Sequence, residues 1–214
     1  MVSCRRFAQK IGDNMSKRLK IGILLAAGIA GVPMSRAAAG EILSGVAAHD
    51  VNVGIATDTR EGGVDAQLGY RTGPVAALAR FGAPDAYGYI SLNSRHRTNF
   101  AAAGLSWRLW LGSESKLYVK PGIGVAVHDG YVDLPPEEPG LANAEIIRRA
   151  EIYRTRKPYG SRFMFEPSVA IGWRAADRVS LEAFYAHLSH AKLGGNDNPG
   201  VDLLGLRLAY RLKD

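Results

Sequence analysis

The feature that most limits what this chain can become is a two-residue alternation kept over stretches of about ten residues, with charges on the second face. In "RFMFEPSVAIGWR", Phe163, Phe165, Pro167, Val169, Ile171 and Trp173 share one side, while Arg162, Met164, Glu166, Ser168, Gly172 and Arg174 share the other. Leu117, Val119, Ile123, Val125 and Val127 likewise oppose Lys116, Tyr118, Lys120 and His128. Leu105, Trp107, Leu109 and Leu111 oppose Ser106 and Arg108, and Val64, Ala66, Leu68 and Tyr70 oppose Asp65, Gln67 and Arg71. The pattern predicts eight strands, at 42–56, 63–72, 86–95, 98–111, 116–128, 161–175, 178–190 and 202–212. Each is near the roughly 9–11 residues that a tilted strand needs to cross a bilayer. Helical spacing is confined to 141–153, "LANAEIIRRAEIY", inside a long connection.

Two architectures carry such strands. In a soluble sandwich or calyx the apolar face is the core. In an outer-membrane barrel it meets lipid, and the polar face fills the lumen. Large charged residues on the second face favour the barrel. So do the aromatics Tyr70, Trp110, Tyr118, Trp173, Tyr185 and Tyr210, which cluster near strand ends as interfacial girdles do. An even strand number also allows closure without edges. The expected fold is all-β, an eight-stranded antiparallel outer-membrane β-barrel. The turns at 112–115 and 175–178 then lie on the periplasmic side, and the connections 129–160 and 191–201 outside the cell.

The N-terminus reads separately. From Met15, a basic stretch (Lys17, Arg18, Lys20), an apolar run over Ile21–Val32 and the small-residue site Ala37–Ala39 follow in the order of a secretory signal peptide. The run is short for a transmembrane anchor, the other reading. Residues 1–39 are therefore expected to be an extension and cleaved signal peptide, and 40–214 the barrel domain. Residues 1–39 also hold seven basic side chains against one acidic, nearly all of the formal charge of +7. The basic balance thus argues for no nucleic-acid partner. The only cysteine, Cys4, lies in the same segment.

Candidate chemistry gathers in "AHLSHAKLGGNDNPGVD". His187 and Ser189 stand two apart on a strand and so share a face, the same apolar face as Leu181 and Tyr185. Asp202 shares the apolar face of the next strand with Leu204, Leu206 and Leu208. Polar groups on a lipid-facing side are costly and point to function. The three types are those of a charge relay: a hydroxyl nucleophile, an imidazole base and a carboxylate that orients it. The loop between them offers backbone N–H groups or the Asn198 amide to an oxyanion. Alternatively, His187 and Ser189 are interfacial polar residues at a strand end. Ser189–Lys192 and Ser113–Lys116 spell S-x-x-K but lack companion motifs. His49 and Asp50 read as a structural polar pair. The arginines of 129–160 read as a solvated loop face, or as contacts to phosphates.

"YAHLSHAKLGGNDNPGVDLLGLRLAYRL", with "GSRFMFEPSVAIGWR" before it and "GVAAHDV" near residue 45, resembles the PagL-type lipid A 3-O-deacylases. The resemblance covers most of 40–214. It implies an eight-stranded outer-membrane barrel of a Gram-negative bacterium that hydrolyses the 3-position hydroxyacyl ester of lipid A, with lipopolysaccharide as substrate. It implies no metal and no cofactor. By the same resemblance His187 is the general base, Ser189 the nucleophile and Asp202 the orienting acid, with the site outside the barrel at the level of the outer leaflet. Asn198, Asn196 and Gly200 are the oxyanion and loop candidates. The family pattern has Asn after the serine, where this chain has His190, and a glutamate at the position of Asp202. A homodimer is left open, as is a non-catalytic barrel with an envelope or binding role.

Overall fold

Greasy residues face outward and charges face inward, the reverse of a water-soluble protein. Phe163, Leu206 and Ile171 are 70%, 65% and 60% exposed, whereas Glu166, Glu182 and Arg71 are 1%, 1% and 2% exposed. The computed structural model describes residues 40–53, 55–56, 58–191, 193 and 198–213. The predicted extension and signal peptide over 1–39, and the candidate Asn196, lie outside the described residues.

Among the described residues the strands are β1 (Glu41–His49), β2 (Val64–Pro74), β3 (Asp85–Asn93), β4 (Phe100–Ser106), β5 (Leu109–Trp110), β6 (Leu117–His128), β7 (Phe163–Ala176), β8 (Val179–Leu188) and β9 (Val201–Arg211). They pair antiparallel in the order β4-β3-β2-β1-β9-β8-β7-β6-β5, and β4 also pairs with β6, which closes the sheet. Both β4 and β5 lie along β6, so they are two pieces of one strand and the barrel has eight positions. Closure matters in lipid, where an unpaired strand edge finds no water to satisfy its N–H and C=O groups.

The lumen is filled by ion pairs. Arg71 donates through Nε and Nη2 to Glu41 Oε2 at 2.9 and 2.6 Å, and through Nη2 to Glu182 Oε1 at 2.6 Å. Tyr89 donates to Glu166 Oε1 at 3.0 Å, Tyr87 binds the other oxygen of Glu166, and Lys120 pairs with Asp85. The space left among Arg71, Tyr87, Tyr89, Lys120, Glu166 and Glu182 is about 20 Å³, room for about one water. Removing one partner of a buried network strands the others, at about 3–5 kcal/mol. Arg71→Met is therefore expected to lower barrel stability by about that amount, read from urea unfolding in lipid vesicles.

Several expectations are corrected. The first strand ends at His49 rather than residue 56, because Asp50 takes a left-handed backbone (φ 59°) and turns the chain away. The strand predicted over 98–111 is interrupted at 107–108, where Trp107 N–H still donates to Pro121 O but Pro121 has no N–H to return the bond. The strand predicted to run to 190 ends at Leu188. Tyr118 is no girdle residue: it is fully buried in the lumen, donates to Glu182 at 2.8 Å and meets Trp110 edge-on. The connection 75–84 holds a short 3-10 helix, Ala76–Phe81. The predicted helix in the long connection is α1 (Asn143–Thr155), two residues later than its spacing suggested.

The three longest connections gather at one end, while the other end holds the shortest turn together with the ten-residue connection 75–84. β7 and β8 join through only Asp177 and Arg178, beside the Glu41 and Arg211 ends of β1 and β9. His49, His187 and Asp202 lie at the opposite end, with the connections 50–63, 129–162 and 189–200.

Candidate functional site

The register of β8 and β9 sets His187 directly opposite Asp202. Side chains of such antiparallel pairs are close neighbours on one face. His187 Nδ1 lies 2.6 Å from Asp202 Oδ1. The shorter acidic side chain therefore does reach the imidazole.

The carboxylate is held on every side. Tyr185 donates to Asp202 Oδ1 at 2.8 Å, and the backbone N–H groups of Ile55 and Ala56 donate to Oδ2 at 3.2 and 3.0 Å. Val51 N–H also donates to the Asp202 carbonyl at 3.0 Å. The segment after β1 thus runs across the outer face of β9 as a strap. The pair points outward yet is covered: the Asp202 side chain is 0% exposed and that of His187 only 10%.

Ser189 follows β8 directly. A bridge to β7 fixes its backbone, with Phe165 N–H donating to Ser189 O at 2.7 Å and Ser189 N–H to Phe165 O at 3.1 Å. Its side chain is half-buried, on the same outward side as His187 by strand alternation. Among the described hydrogen bonds none joins Ser189 Oγ to His187. Such bonds often tighten only with substrate in place.

The loop candidates have distinct surroundings. Asn198 accepts from the His190 N–H through Oδ1 at 3.2 Å, which leaves Nδ2 as the donor end of the amide. Gly200 has a left-handed backbone (φ 64°), and a Cβ there would come 2.7 Å from His187 Cε1. Only glycine fits both the conformation and the closeness of the ring. His190 itself is buried.

A second buried cluster lies beside the first. Lys157 is fully buried, pairs with Asp50, and donates to the carbonyls of Asp58 and Gly200. Burial raises the Asp50 carboxyl above its ordinary value, against the pull of Lys157. Burial also acts to raise Glu61, but its hydrogen bonds to His49 and Thr98 prevail and lower it. His49 Nδ1 lies 2.9 Å from Asp65 Oδ2, which fits the structural reading of the His49–Asp50 pair. The arginines of α1 are engaged locally: Arg148 and Arg149 on Glu145, whose carboxyl their hydrogen bonds depress to about 2, and Arg154 on Glu151.

Tyr185, the Ile55 and Ala56 amides and Lys157 were not anticipated from the sequence. Tyr185 had a signal, two residues before His187 on the same face. Lys157 had none, since its partner Asp50 is 107 residues away. No group of side chains able to hold a metal occurs among the described residues.

Among solved structures, the chain is similar to the outer membrane enzyme PagL, with 13% identity over 80% of this chain and 99% of that one and a TM-score of 0.51. Neisserial surface protein A aligns at 10% identity over 81% and 97% of the two chains (TM-score 0.49). The attachment invasion locus protein Ail of Yersinia pestis aligns at 12% identity over 82% and 99% (TM-score 0.36). No curated protein matches. The barrel belongs in the outer membrane of a Gram-negative bacterium. Residues 80–211 match the lipid A 3-O-deacylase (PagL) family, and this stretch carries β7, β8, β9 and both partners of the His187–Asp202 pair: the chain is a member of that family.

Proposed function

We propose that this protein is an outer-membrane esterase that removes the 3-position hydroxyacyl chain of lipid A through Ser189, His187 and Asp202. The observation that carries the reading is the 2.6 Å contact between His187 Nδ1 and Asp202, on the outer wall of a chain of this family. With Nδ1–H held by the carboxylate, Nε2 is left as the base.

Lipid A reaches the wall by lateral diffusion, so an outward site meets its ester without extracting it from the leaflet. His187 Nε2 takes the proton of Ser189 Oγ as the oxygen attacks the ester carbonyl carbon. Asp202 holds the ring in that tautomer and stabilises the imidazolium. The tetrahedral oxyanion takes hydrogen bonds from the Asn198 amide, with the Gly200 and Asn196 positions as the other donors in the loop. Collapse breaks the bond to the sugar oxygen, which leaves with the proton from His187. Water, deprotonated by His187, then attacks the acyl-serine, and the products are a free sugar hydroxyl and a 3-hydroxy fatty acid. Nothing in this cycle needs a metal or cofactor.

The test is mass spectrometry of lipid A from cells with and without the gene. The expected result is loss of the mass of one hydroxyacyl chain. Unchanged lipid A from cells whose outer-membrane fraction contains the heat-modifiable, folded barrel would sink the reading and leave a non-catalytic barrel in its place.

A further inference from the structure

Lys157 is a fully buried cation on the segment that follows α1, far in sequence from the strands that carry His187 and Asp202. A buried ammonium offers three donors, and each needs a partner. Here the three partners are Asp50, the Asp58 carbonyl and the Gly200 carbonyl. Asp50 and Asp58 bracket the strap, whose Val51, Ile55 and Ala56 N–H groups bind Asp202. Gly200 lies against the His187 ring on the other side of the pair. One ammonium therefore closes both ends of the strap over the carboxylate and fixes the backing of the imidazole. Asp50 is further anchored by the Glu61 N–H at 2.9 Å, and Lys157 N–H reaches Glu61 Oε1 at 3.3 Å.

We propose that Lys157 is a positioning residue for the His187–Asp202 pair, a latch that fastens the connections 50–63, 129–162 and 189–200 around it. Its effect on turnover rests on the esterase reading, whereas its effect on the pair itself does not. A buried ion pair need not add stability, and removing both charges is often nearly neutral, whereas removing one strands the other. The informative variant is therefore the double change Asp50→Asn with Lys157→Met, made alongside Lys157→Met alone. Tyr159→Phe serves as the control: its hydroxyl donates to Glu61 Oε2 in the same cluster, and among the described hydrogen bonds it makes none to Asp50, Asp58 or Gly200.

The experiment uses the full protein in lipid nanodiscs. Proton NMR follows the low-field signal of His187 Nδ1–H bonded to Asp202, assigned by its absence in His187→Gln. Acyl release from purified lipid A is measured in parallel. The double variant is expected to lose or strongly broaden the signal. Its kcat is expected to fall about 10- to 100-fold, as displacements of about 1 Å at a catalytic group do, with KM within about two-fold. Tyr159→Phe is expected to change neither. A double variant with the wild-type signal and wild-type kcat overturns the latch. If the wild-type protein releases no acyl chain, loss of the signal in the double variant still upholds the latch, and it is the esterase reading that fails.

Discussion

Ser189→Ala is expected to end acyl release from lipid A, with a fall of at least about three orders of magnitude in kcat. In the proposed mechanism, removing one hydroxyl costs so much because the base and its orienting acid then have no group to activate. The substitution leaves the fold alone. Ser189 is tied to β7 through its backbone N–H and C=O, and both survive the change to alanine. Heat-modifiable migration and urea unfolding are thus expected to match wild type, which separates lost chemistry from a lost barrel. Full activity in Ser189→Ala would remove the serine from the mechanism.

The second large effect is expected from Asp202→Asn, a fall in kcat of about 10⁴-fold. The carboxylate accepts from four donors: His187, Tyr185 and the Ile55 and Ala56 N–H groups. A carboxamide has one acceptor oxygen and turns an NH2 group toward donors on its other side. If the oxygen stays with the two strap amides, the NH2 faces His187, which then flips its tautomer and presents Nε2–H where a base is needed. If the oxygen stays with His187, the strap loses its hold. Both outcomes impair the reaction, so kcat falls in either. Measuring kcat and unfolding free energy together tells the two apart, because only release of the strap also costs stability. The family's longer carboxylate is no remedy here. Asp202→Glu would push one methylene into a side chain environment with no exposure, and its activity is expected below wild type.

How far the sequence could be read depended on the range of the interaction. The alternation of Phe163–Trp173 is local, and the barrel wall follows it residue by residue, with Phe163 and Phe165 out and Met164 and Glu166 in. Proximity of His187 to Ser189 follows from a period of two, and the pairing of His187 with Asp202 from one antiparallel register. Where local cues misled, a tertiary contact had overridden them. Val51, Val53 and Ile55 alternate like strand residues, yet they belong to the strap, where Val53 and Ile55 are exposed. Tyr118 sits near a strand end as a girdle aromatic would, but its face, which Lys120 shares, decides its place in the lumen. The roles of Lys157 and of the strap amides depend on partners that lie from 43 to 147 residues away in sequence, and spacing carries no trace of them.

On the proposed reading, an active site on the outer wall of a packed barrel changes what concentration means. Arg71, Glu41 and Glu182 fill the middle of the lumen with ion pairs, and the His187–Asp202 pair faces away from it. Encounters happen in two dimensions, and the rate follows the number of lipid A molecules per unit area around the wall, not their number per unit volume. Diluting the membrane with inert lipid slows such a protein, and diluting the suspension with buffer leaves it untouched.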